Sequence, residues 1–112
     1  MTALYVYGFV DQPLKPFTMA GHRIEVVTAA SLYAAVERVS EQPALSEASL
    51  RLQHQIVQRL SARARAILPA RFGAFVNPDE LTRLAIRRGD ELTRGLAHVT
   101  DRAQMIVRLR LK

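Results

Sequence analysis

The alternation of apolar and polar positions marks the first element at once. Over residues 2–10, Leu4, Val6 and Val10 fall on one side of a period-two pattern, and Tyr5, Tyr7 and Phe9 on the other. A strand apolar on both faces belongs in the middle of a sheet. Asp11 to Gly21, punctuated by Pro13, Pro16 and Gly21, has no periodicity and reads as a loop, with Leu14, Phe17 and Met19 tucked back onto the core. Arg23 to Thr28 alternates again and reads as a strand. Ser31 to Val39 fits either state, since Leu32, Ala35, Val36 and Val39 suit a helix and a run this short does not arbitrate. Glu41 to Leu45, containing Pro43, is a connection.

From Ser46 the period changes to 3.6. Ser46 is placed to cap a helix and Glu47 to face the positive end of its dipole. Leu50, His54, Val57, Leu60, Ala64 and Ile67 form the expected buried stripe, with Arg51, Gln55, Gln58, Arg59 and Arg63 opposite, and Pro69 ends the helix. Ala70 to Val76 reads as a short extended segment. Asn77-Pro78-Asp79-Glu80 then gives the clearest start signal in the chain: an N-cap, a proline at the first helical position and a glutamate to close a capping box. Leu81, Leu84, Ala85, Leu92 and Leu96 supply the buried stripe of this second helix. Gly89 costs about 1 kcal/mol relative to alanine and reads as a point of close contact with the sheet. Ala103 to Leu111 alternates strictly, which predicts a final strand with Met105, Val107 and Leu109 inward and Arg108 and Arg110 outward.

This order predicts an α+β fold in one domain, residues 1–112. It combines an antiparallel or mixed sheet with two helices on one face, in a sandwich related to the ferredoxin-like arrangement. On that arrangement Tyr5, Tyr7 and Phe9 share the open side of the sheet with Arg108 and Arg110. Single-stranded RNA readers use such an aromatic and arginine-lined face. The glycine–aromatic strand signature of those readers is missing, however, and a protein partner would also cover such a face.

Leu68-Pro69-Ala70-Arg71-Phe72-Gly73-Ala74-Phe75-Val76 combines a breaker, a charge, two aromatics and a glycine. The arginine there needs a carboxylate or a set of carbonyls, since its neighbours are apolar. Glu80 or helix-end carbonyls are the expected partners, with direct contact to a partner protein as the alternative. The stretch resembles the L-P-x-R-F-G motif of the gas vesicle protein family that contains GvpF and GvpL. Leu4-Tyr5-Val6-Tyr7-Gly8-Phe9-Val10 resembles that family's opening strand, and Leu52-Gln53-His54-Gln55-Ile56-Val57 loosely resembles its L-x-x-H-x-x-V helix start. The three stretches stand in the family's order and cover about the amino-terminal half of a typical member. The resemblance implies a second strand of a hairpin at Ser31–Val39. It also implies a non-enzymatic accessory role in gas vesicle assembly, with the small hydrophobic shell protein and other gas vesicle accessory proteins as partners. Self-association through the open sheet face is a further expectation.

Composition narrows the alternatives. Hydrophobic residues make up 49% of the chain and charged residues 23%, values of an ordinary soluble globule. With no cysteine there is neither a disulfide scaffold nor thiolate chemistry. No apolar run approaches the roughly 20 residues needed to span a bilayer, and the opening residues lack a basic leader, so a cytoplasmic protein is expected. The net charge of +6, with arginine supplying 14 of 16 basic residues, permits an acidic partner or nucleic acid, although the arginines are scattered along the sequence. A nucleic-acid-binding module is therefore the runner-up.

Catalytic constellations are weak. His54 on the apolar stripe reads as a core histidine without a carboxylate, cysteine or serine partner. His22 and His98 are spaced unlike metal ligands. Asp79-Glu80 is explained by helix capping and Asp90-Glu91 by a solvated helix face. No cofactor is expected.

Overall fold

The sheet is built around β1 (Ala3–Val10), which has neighbours on both edges. The computed structural model describes residues 3–70 and 74–110, with side chains as far as residue 99. After β1 come β2 (Phe17–Met19), β3 (His22–Ala29), β4 (Leu32–Val39), α1 (Glu47–Arg63), β5 (Ile67–Pro69), β6 (Phe75–Val76) and α2 (Pro78–Arg110). The strand order is β2-β3-β4-β1-β5, with β6 also on β1, and every pairing is antiparallel. The α+β class, the antiparallel sheet and the pair of helices agree with the sequence reading. So does the strand at β4, which the resemblance implied where periodicity left the choice open.

Each face of the sheet carries its own core. Leu4 and Val6 of β1 join Leu32, Ala34 and Val36 of β4 beneath Leu81, Ala85 and Leu96 of α2. Tyr5, Tyr7, Ile24 and Ala35 lie on the other face beneath Ile56 and Leu60 of α1. The helices therefore sit on opposite faces and not on one, as expected for a central strand apolar on both sides. A β-bulge between Val6 and Gly8 shifts the β1–β4 register. A one-residue slip moves every following side chain to the other face. Phe9 accordingly joins the α2 core and Val10 the α1 core, the reverse of simple alternation.

Capping follows the sequence. The Ser46 hydroxyl accepts from the Ser49 N–H at 3.1 Å while the Ser49 hydroxyl accepts from the Ser46 N–H at 2.9 Å. Asn77 and Glu80 form the same reciprocal box at the start of α2, at 3.0 and 2.8 Å. The loop after β1 holds a strand that its composition hid, since β2 pairs Phe17 with Ile24 through a turn at Ala20 and Gly21, both at positive φ. Phe17 is buried there, with Leu14 and Met19 packed against the same core.

Four further expectations need correction. The buried face of α1 is rotated: Ile56 and Leu60 are fully buried, whereas Leu50 and His54 are exposed. The helix also stops at Arg63, short of Pro69, because the Asp11 carboxylate accepts the Arg65 and Ala66 N–H groups at 3.1 Å each and draws the chain into β5. The segment 70–76 is not one strand. β5 ends at Pro69 and β6 is Phe75–Val76, with Ala70 and Ala74 outside either strand and 71–73 outside the described residues. Finally, Ala103 to Arg110 is helical: α2 continues to Arg110 with no glycine or proline after Gly95 to stop it. Both edges of β1 are already occupied, so the central position leaves no slot for another strand.

Candidate functional site

The open aromatic face is absent. Tyr5 is 2% exposed and Tyr7 4%, both under α1, while Phe9 is buried on the opposite side under α2. Arg108 and Arg110 belong to α2 and not to a strand beside these aromatics. Arg71, with Phe72 and Gly73, lies outside the described residues. The structure thus brings Tyr5 and Tyr7 together, with ring centroids 5.0 Å apart, and sets Phe9 on the opposite face of the sheet. The arrangement that supported a nucleic-acid-binding module is lost with that face.

Under α1 the two tyrosines organise a polar cluster. The Tyr5 hydroxyl donates to Gln53 Oε1, and Gln53 Nε2 donates to the Ala70 carbonyl at 3.3 Å, joining α1 to β1 and to the sheet edge. The Tyr7 hydroxyl donates to Glu37 Oε1 at 2.8 Å, and His22 Nδ1 lies 2.8 Å from Glu37 Oε2. A carboxylate only accepts, so Nδ1 carries the hydrogen of that bond. Three adjacent strands are cross-linked through one carboxylate. Burial, then the bond to Glu37 and its charge, then Tyr5, hold the Tyr7 phenol far above its usual range. This is a structural tie. The recess beside it measures about 60 Å³, enough for a few waters and too small for an organic substrate.

That tie has a pH signature. The phenol stays neutral in the fold while the unfolded chain ionises its tyrosine near 10. A raised folded-state value means that stability is intact below pH 10 and declines above it. Urea midpoints should therefore fall from pH 10 to 11.5 in the parent chain. Tyr7→Phe, less stable at neutral pH, should show a shallower alkaline decline; equal slopes would contradict the assignment.

A second recess of about 260 Å³ opens between the sheet and α2, lined by Val10, Leu32, Tyr33, Thr93 and Leu96, with Asp11 at its rim. Asp11 already caps the α1–β5 connection. His54 and His98 are exposed, and no group of three His, Cys, Asp or Glu residues could hold a metal among the described residues. No helix among them is long and apolar enough to cross a membrane.

What the outer surface does offer is apolar side chains near the start of α1. Leu45 is 72% exposed and Leu50 47%, and on α2 Ile86 is 68% exposed. Leu45 and Leu50 occupy the two positions of a hydrophobic staple around the Ser46 cap, yet both still face water. Periodicity places Leu50 on the buried stripe and Leu45 in a connection, so neither reads as surface from the sequence.

The family described as "Gas vesicle synthesis protein GvpL/GvpF" matches residues 3–112. The chain belongs to this family. Comparison with curated proteins and with solved structures returns no match. Membership in the GvpL/GvpF family connects the chain to gas vesicle assembly, and it agrees with the three sequence stretches that suggested the resemblance.

Proposed function

We propose that this GvpL/GvpF-family chain is a cytoplasmic, non-enzymatic assembly factor that docks the small hydrophobic shell protein of the gas vesicle, alongside other accessory proteins. The family match across residues 3–112 carries this reading. The surface is consistent with it, because Leu45 and Leu50 present apolar area beside the first turn of α1. Covering an apolar face on a shell subunit would remove such area from water on both partners. Among the described residues, Tyr5, Tyr7, Glu37 and Gln53 are engaged in tying strands and α1 together.

The test is co-expression of the tagged chain with the shell protein and recovery of the complex. Capture by the parent should persist from about 50 to 500 mM salt, since apolar docking is not screened. Leu45→Asp/Leu50→Asp should reduce capture at least tenfold. Because both side chains are exposed, the pair should change stability by no more than about 1 kcal/mol. Undiminished capture by that variant would remove this surface from the interface, and absence of capture by the parent would remove the function.

A further inference from the structure

A different part of α1 carries a second surface. Between Glu47 and Asp79 the chain contains no carboxylate, yet it holds Arg51, Arg59, Arg63, Arg65 and Arg71. Arg51 is paired with Glu47 at 2.8 Å. Arg59 and Arg63 are not paired with a carboxylate among the described residues. Their guanidinium groups lie 5.7 and 4.9 Å from the Phe17 ring centroid. Two other exposed arginines, Arg38 and Arg88, are paired with Glu25 and Glu91.

The fold therefore gathers what the sequence scatters. β2 brings Phe17 under the end of α1, and Lys15, two residues earlier and exposed, comes with it. Arg65, also exposed, follows the helix immediately. Asp11, the nearby acid, accepts two backbone N–H groups at 3.1 Å. Holding two guanidinium groups over one buried ring limits the freedom of two exposed side chains. Less side-chain entropy is then lost when a carboxylate arrives. The negative end of the α1 dipole favours basic residues here too. That accounts for Arg63 in the last turn, but not for Lys15 in the loop before β2.

We propose that Lys15, Arg59, Arg63 and Arg65 form a docking site for an acidic protein segment, distinct from the apolar surface at the other end of α1. At a rise of about 1.5 Å per residue the two ends of this helix stand roughly 24 Å apart. An acidic segment suits the site better than nucleic acid, because Phe17 is 9% exposed and covered by the arginines, leaving no ring on which a base could stack. The proposal rests on the reading of the chain as a docking protein, and the test separates the two.

The probe is a fluorescein-labelled peptide of twelve glutamates, titrated by anisotropy with the full chain at 20 and 200 mM salt. Binding should weaken at least tenfold over that range as the Debye length contracts. Arg59→Gln/Arg63→Gln should weaken binding at least fivefold at 20 mM salt. Lys15→Gln/Arg65→Gln should do the same without touching the Phe17 contact, so that loss of fold in the first variant does not decide the matter. Arg83→Gln/Arg87→Gln removes equal charge from the exposed face of α2 and should stay within twofold of the parent. The proposal is overturned if this control weakens binding as much as the cluster variants do. It is equally overturned if no peptide binding occurs at 20 mM salt, or if a twelve-nucleotide thymidine strand binds tighter than the peptide. Failure here leaves shell-protein capture through Leu45 and Leu50 standing, and loss of that capture leaves peptide binding standing.

Discussion

Ile56→Ala should cost the fold about 2–5 kcal/mol, while His54→Ala, two residues away, should change stability by less than about 0.5 kcal/mol. Ile56 is 0% exposed and packs in the core that α1 shares with Tyr5, Tyr7 and Val10. Truncating it removes apolar contacts and leaves a cavity between a helix and a rigid sheet, which collapses only partly. His54 stands on the exposed side of the same helix, and its loss leaves no buried donor without a partner. Urea unfolding followed by far-UV circular dichroism measures both, with the denaturant slope expected to stay constant. Similar costs for the two substitutions would mean that the buried face of α1 had been assigned with the wrong rotation.

The same residues show why that rotation was hard to read. Leu50, Val57 and Leu60 support one phase and Leu52, Ile56 and Leu60 another, and the sequence contains both sets. Polar contacts decide between them. Gln53 turns inward because the buried hydroxyl of Tyr5 and the carbonyl of Ala70 need partners. A hydrophobic count treats that glutamine as surface. Local signals with a short reach were legible: the caps at Ser46 and Asn77, the double-sided β1, and the inward stripe of α2. Features set by distant partners were not. The bulge in β1 depends on pairing with β4. The end of α1 depends on Asp11, more than fifty residues earlier. Alternation in Ala103–Leu111 predicted a strand, although alanine, glutamine, methionine, arginine and leucine there are also good helix formers and α2 runs on to Arg110.

The candidate site followed the same division. Tyr5 and Tyr7 were singled out by their pattern, but their role reverses once α1 covers their face. Glu37 and Gln53, which partner them, carried no signal that spacing could reveal. The basic cluster was invisible for a related reason, since Arg59 and Arg63 share the Phe17 ring only when β2 folds back against α1.

Gly8→Ala should destabilise the chain by about 2–3 kcal/mol, near the upper end of what overpacking costs. A Cβ built at Gly8 would lie 2.6 Å from the Leu68 carbonyl oxygen and 3.1 Å from the Pro69 Cα. Both atoms belong to the backbone of β5, which pairs with β1 at this point, so the clash is not relieved by turning a side chain. Gly95 offers the natural control. Its Cβ would meet Leu68 Cδ1 at 2.9 Å, the far end of a flexible side chain. Alanine in a helix also gains about 1 kcal/mol over glycine. Gly95→Ala should therefore stay within about 1 kcal/mol of the parent. In Gly8→Ala the edge formed by β5 should separate from β1 before the rest of the sheet. Hydrogen exchange should then speed up at the Ala70 N–H, which bonds to the Tyr7 carbonyl at 2.9 Å. A detached edge would expose the unpaired side of β1 and promote pairing between chains, so Gly8→Ala should also show concentration-dependent light scattering that Gly95→Ala lacks. Equal stability of the two variants would mean that β5 is not held against the bulge of β1 by this close approach.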